Sequence, residues 1–136
     1  KQGRWCGLVA FSGGSGHRVL ALPPTKWNQV QLYSWLESFI GCGSDQDVPV
    51  QEMPAIFTEI GAPVGKTDLV YITDAELSIS QKKATEFTTW KASVKARLVS
   101  LVLNTDPGHL TLISDEVHLI NSLDPAEAGI KKVFSL

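Results

Sequence analysis

Two short loops carry oxygen-bearing side chains of the kind that hold hard cations: Ser44 and Asp45 in Gly43-Ser44-Asp45, and Asp74 in Ile72-Thr73-Asp74-Ala75-Glu76. Mg²⁺ takes oxygen ligands in a near-octahedral array and keeps several of its waters. One hydroxyl and one or two carboxylates from separate loops therefore suffice when a partner molecule supplies a further carboxylate. Loops at the carboxyl ends of strands and at helix starts are where open parallel sheets place their ligands. The plainer alternative is that Asp74 only ends a strand, while Ser44 and Asp45 decorate a turn.

Other motifs invite chemistry and fail on spacing. Gly61-Ala62-Pro63-Val64-Gly65-Lys66-Thr67 imitates a phosphate-binding loop but is one residue short, because position 60 is Ile. It also precedes a strand, whereas a phosphate cradle needs a strand before it and a helix N-terminus after it. Ser12-Gly13-Gly14-Ser15-Gly16-His17 misses the G-x-S-x-G nucleophile elbow and leads into a strand, so it reads as a turn. His17, His109 and His118 show no pair at metal-ligand spacing and no relay partner, which leaves no catalytic role for them. Strand alternation is expected to turn His118 outward. Cys6 and Cys42 lie outside any CxxC or Cys/His pattern and read as buried or bystander thiols, with a disulfide as the alternative.

The elements that must position these loops follow from periodicity. Cys6 to Phe11 is a short apolar run and Arg18 to Leu22 a second one, which together predict a hairpin. Pro23 and Pro24 close it; Thr25 can cap a helix carrying Leu32, Trp35, Leu36, Phe39 and Ile40 as a stripe against a sheet, with Gly41 as its stop. Asp47 is a natural cap for the next helix, which has Val50, Met53, Ile56, Phe57 and Ile60 on one face and Gly61 and Pro63 behind it. Asp68 to Thr73 is a continuous apolar run of the kind found in parallel strands covered on both faces.

Ser80 can cap a third helix that turns Ala84, Phe87, Trp90 and Val94 inward, and the strand Leu98 to Leu103 follows it. A loop through Asp106-Pro107-Gly108 and a short apolar segment lead to the strand Val117 to Ile120. Asp124-Pro125-Ala126-Glu127 forms a capping box that opens a terminal helix. Alternating strands and helices call for an α/β fold, a mostly parallel sheet with helices on both faces.

Composition narrows the function classes. A length of 136 residues suits one domain, 1–136, with its own core and is short for two. With 43% hydrophobic and 19% charged residues the chain has the makeup of a folded globular protein, not a disordered or fibrous one. Its net charge of -2 offers no broad attraction to nucleic acid or anionic lipid. No apolar run reaches the roughly 20 residues that cross a bilayer, and no secretory leader is visible, so the expected setting is cytoplasmic. The chain opens at Lys1, without an initiator Met, and is expected to be part of something longer.

Taken together, these residues resemble the von Willebrand factor A (VWA) domains, in particular bacterial cytosolic members that accompany AAA-type ATPases. The likeness covers nearly the whole chain. Cys6 to Phe11 with Ser12 is similar to the family's second strand and its Phe-Ser ending, and Arg18 to Leu22 to its antiparallel edge strand. Gly43-Ser44-Asp45 is similar to its Gly-Gly-Thr-Asp loop, and Leu69 to Glu76 to its apolar strand ending in Thr-Asp-Gly-Glu. The resemblance implies a three-layer, Rossmann-like, doubly wound sheet with one antiparallel edge strand. It also implies a non-enzymatic module that binds a protein partner, such as an AAA-type ATPase, through Mg²⁺ at a metal-ion-dependent adhesion site.

By match, Ser44 stands at that site's Thr position, Asp74 at its third-loop Asp, and Asp45 beside Ser44. The family's Asp-x-Ser-x-Ser motif is absent from the sequence, and with it the first strand, which lies centrally in the sheet. The metal site is accordingly expected to be incomplete. Two apolar strands would be left with unpaired edges, at about 1–3 kcal/mol per buried unpaired group against a net stability of roughly 5–15. Direct pairing of Cys6 to Phe11 with Leu69 to Thr73, a strand from another copy, or a longer polypeptide would each close the gap. Direct pairing is the expectation for this chain alone. The competing reading is a small doubly wound enzyme or phosphoacceptor domain that uses Asp74.

Overall fold

The computed structural model describes residues 5–12, 16–26, 28–38, 47–74 and 77–122, together with 124, 126, 128 and 131. It is an α/β structure in two compact units, Lys1–Ala62 and Pro63–Leu136. The first holds a two-stranded antiparallel sheet and the second a three-stranded parallel sheet of order β3-β4-β5.

In the first unit β1 (Cys6–Ser12) and β2 (Gly16–Leu22) form the expected hairpin, in register from Cys6 opposite Leu22 to Ser12 opposite Gly16. Gly7 is needed for close approach: a Cβ there would lie 2.7 Å from the Trp5 ring and 2.8 Å from Ile60 Cδ1. Helix α1 (Gln29–Glu37) corrects the sequence reading at its start. Its cap is Asn28, whose Oδ1 accepts from the N–H groups of Val30 at 2.9 Å and Gln31 at 3.3 Å. Thr25 lies instead in a turn closed by the Lys26 N–H donating to Pro23 O at 3.0 Å.

No residue of α1 is buried, so its apolar stripe is not covered as expected: Leu32 and Trp35 are half-buried, and Leu36 is exposed. Phe39, Ile40 and Gly41 lie outside the described residues. Helix α2 (Asp47–Glu59) buries Val50, Ile56 and Phe57 and half-buries Met53 and Ile60, the face read from the sequence. It ends where Gly61 adopts φ 65° and the Ala62 N–H donates to Phe57 O at 3.0 Å, a Schellman closure. The Asp47 side chain is outside the described set.

In the second unit β3 (Leu69–Thr73), β4 (Leu98–Leu103) and β5 (Glu116–Ile120) run parallel, linked by α3 (Gln81–Ser93) and the single-turn α4 (Leu110–Ile113). Tyr71, Ser100 and Val117 share one row of the register, and Ile72, Leu101 and His118 the next. The both-faces pattern expected of β3 belongs to β4, buried from Leu98 to Val102. At the edge of its sheet β3 alternates instead, with Tyr71 and Thr73 buried and Val70 and Ile72 41% and 51% exposed. The pairing expected between Cys6 to Phe11 and Leu69 to Thr73 is absent among the described strands: β1 pairs with β2, and β3 with β4.

Helix α3 follows its sequence reading closely. Ser80 caps it through the Lys83 N–H at 3.3 Å, Ala84 and Phe87 are buried, and Trp90 packs against Phe87 with ring centroids 5.3 Å apart. The terminal helix expected after Asp124 falls mostly outside the described residues. There the Asp124 carboxylate accepts from the Ala126 N–H at 2.7 Å, as a cap does. Among the described residues no helix is long and apolar enough to cross a membrane.

Candidate functional site

Asp74 follows the last residue of β3 and is exposed. Because Thr73 aligns with Val102, and Val102 with Leu119, the residues that follow all three strands lie along one carboxyl rim: Asp74, Asn104 and Asn121. Asn104 takes φ 50° and donates its N–H to Ile120 O at 3.2 Å. Asn is among the few residues that visit this left-handed region readily.

Beyond Asp74 the rim is stitched together. Leu77 makes an isolated parallel bridge to Gly108, and the His109 N–H donates to Leu77 O at 2.8 Å. His109 Nδ1 lies 2.9 Å from the Ile79 nitrogen and 2.7 Å from its carbonyl oxygen. Unprotonated there it accepts from the N–H; protonated, it donates to the carbonyl. The Asp106 carboxylate holds the turn by accepting from the Gly108 N–H at 2.7 Å. Sequence reasoning gave His109 no role because its partners are backbone groups that no side-chain pattern announces; its cue is the neighbouring Asp106-Pro107-Gly108 turn.

Ser44 and Asp45, the other two predicted metal ligands, lie outside the described residues, so of the predicted set the geometry places Asp74 alone. Among the described residues no group of three or more His, Cys, Asp or Glu is arranged to hold a metal ion. Cys6 carries a free, half-buried thiol that burial pushes up in pKa. The Tyr71 phenol is likewise pushed up by burial. Neither is an activated nucleophile.

His118 corrects its expectation: it shares the side of buried Ile120, while Leu119 points out and is 66% exposed. Its Nε2 lies 3.4 Å from Glu116 Oε2 without an aligned hydrogen bond, and Glu116 Oε1 accepts from Arg97 at 2.7 Å.

His17, dismissed from sequence, meets two carboxylates: Nδ1 lies 2.6 Å from Glu52 Oε2 and Nε2 3.4 Å from Glu59 Oε2. Glu52 and Glu59 are seven residues apart, two helical turns, which puts them on one face of α2 opposite β2. That spacing was the available signal.

The described fold thus defines an α/β protein with a polar carboxyl rim on its parallel strands. No family model, no curated protein and no solved structure gives a significant match to the chain.

Proposed function

We propose that this chain is a protein-interaction module of the VWA type, not an enzyme, with a doubly wound, Rossmann-like fold and an incomplete Mg²⁺ site built on Asp74, Ser44 and Asp45. The observation that carries the reading is the exposed Asp74 carboxylate at the carboxyl end of a parallel strand, where sheets of this kind place their ligands. The order β3-β4-β5, parallel and consecutive, matches the second half of a doubly wound sheet, and the antiparallel hairpin suits the family's edge. A partner's Asp or Glu would complete the metal's coordination; an AAA-type ATPase is the partner class the resemblance suggests.

Titration of the full chain with MgCl₂, followed by amide NMR, tests it. Shifts are expected at Asp74 and at residues 43–45, with weak affinity, on the order of 10⁻³ M, as few protein ligands give, and the shifts should vanish in Asp74→Ala. Unmoved signals at both loops would remove the metal reading. Tight binding would contradict an incomplete site, and an acyl-phosphate adduct on Asp74 would favour the phosphoacceptor reading instead.

A further inference from the structure

The hairpin and α2 meet at His17. Its side chain is a quarter exposed, and each ring nitrogen faces a different carboxylate, Glu52 through Nδ1 and Glu59 through Nε2. A neutral imidazole has one N–H and one lone pair, so it donates to one carboxylate and turns a lone pair toward the other. Only the imidazolium donates to both. The geometry therefore selects the protonated ring, and α2 loses a bridging contact whenever the proton leaves.

We propose that His17, Glu52 and Glu59 form a proton-controlled latch, fastening α2 to the β1–β2 hairpin when the imidazole is cationic and loosening it when neutral. The groups around the ring are few. From α2 the acids are Glu52 and Glu59; on β1, opposite His17, stands Phe11, and the strand's titratable residue is Cys6, at the far end of the register. On β2 the neighbouring Arg18 is exposed and, by strand alternation, lies on the other face.

The hydrogen bond that His17 donates to Glu52 raises its pKa most; burial opposes it, and Glu59 adds to the rise. A group raised on folding stabilises fully below its unfolded value, about 6.5 for His. That contribution is lost as pH climbs through the folded value. The latch is thus closed below the free-histidine value and opens as pH climbs through the raised folded one.

Proton-detected titration of His17 in the full chain, with hydrogen exchange of α2 at several pH values, tests this. His17 is expected to titrate above a free histidine. α2 protection, corrected for intrinsic exchange, should fall several-fold across that titration, and Glu52→Gln should lower the His17 midpoint most. In His17→Gln the α2 protection should no longer depend on pH in this range. A wild-type His17 midpoint at or below the free value would overturn the latch without any variant having to fold, and so would an unchanged α2 profile in His17→Gln.

Discussion

At the residue scale, the side chain that most departs from its pattern is Lys91. It sits seven residues after Ala84 and four after Phe87, on the inward stripe of α3, where a lysine in sequence reads as solvated. Its ammonium is satisfied inside: Nζ donates to Ile113 O at 2.8 Å and to Asp115 Oδ2 at 2.6 Å. The same Asp115 oxygen accepts from the Leu98 N–H at 2.7 Å, so one carboxylate ties α3 to the start of β4 and to the approach to β5. Burial would raise Asp115, but the hydrogen bonds from Lys91 and Leu98, with the charges of Lys91 and Arg97, hold it below the usual carboxylate range. A depressed group stabilises above its unfolded value, about 3.9, and that stability drains as pH falls through the folded one. Lys91→Ala should cost roughly 1–3 kcal/mol at pH 7, less than a fully buried pair because the Asp115 side chain is 41% exposed. Urea midpoints at pH 7 and pH 3 check both parts: the variant's deficit should be largest at pH 7 and shrink in acid.

At the element scale, legibility followed length and periodicity. The strand reading matches β4 to the residue and the helix reading matches α3 to its cap, because five buried strand positions, four of them apolar, or a four-residue inward stripe admit few alternatives. The expectation at α1 placed the cap at Thr25, three residues before the Asn28 that fills it. Pro23 and Pro24 made Thr25 attractive, but the tight turn through Lys26 uses that segment, leaving the Asn28 amide oxygen to meet the first free N–H groups.

The end of α3 carries a device the sequence hid altogether. Lys95 takes φ 55°, and the Ala96 N–H donates to Lys91 O at 3.1 Å, the closure that α2 makes with a glycine. A left-handed lysine costs roughly 1–2 kcal/mol relative to the right-handed region, partly offset in a replacement by the extra freedom of an unfolded glycine. Lys95→Gly should raise stability by about 0.5–1 kcal/mol, read as a higher thermal midpoint with an unchanged circular dichroism spectrum. A lower midpoint would mean that Lys95 makes a contact worth more than its strain.

At the scale of the whole molecule, the strand sequence announced α/β architecture but not how the strands would divide. A run such as Leu69 to Thr73 is as apolar as a central strand, and only its neighbours decide whether one face or two are covered; here β4 takes the central place. Of the candidate metal ligands the described residues place only Asp74, just after β3, and its position could be read locally as a strand end; convergence with Ser44 and Asp45, which lie outside the described residues, is a property of tertiary structure that local reading does not reach. Each compact unit carries its own apolar interior: Leu20, Leu22, Ile56 and Phe57 in Lys1–Ala62, and Phe87, Val99, Leu101 and Ile113 in Pro63–Leu136. Two compact units predict separate opening reactions, since amide exchange reports the smallest cooperative unit whose unfolding exposes the group. A stabilising change in one unit should then slow exchange there and leave the other alone. Lys95→Gly supplies that change without touching any strand. Protection of β3, β4 and β5 amides is expected to rise about two- to fivefold, the factor that 0.5–1 kcal/mol gives, while β1, β2 and α2 keep their wild-type rates. An equal rise across all six elements would show that both units unfold as one.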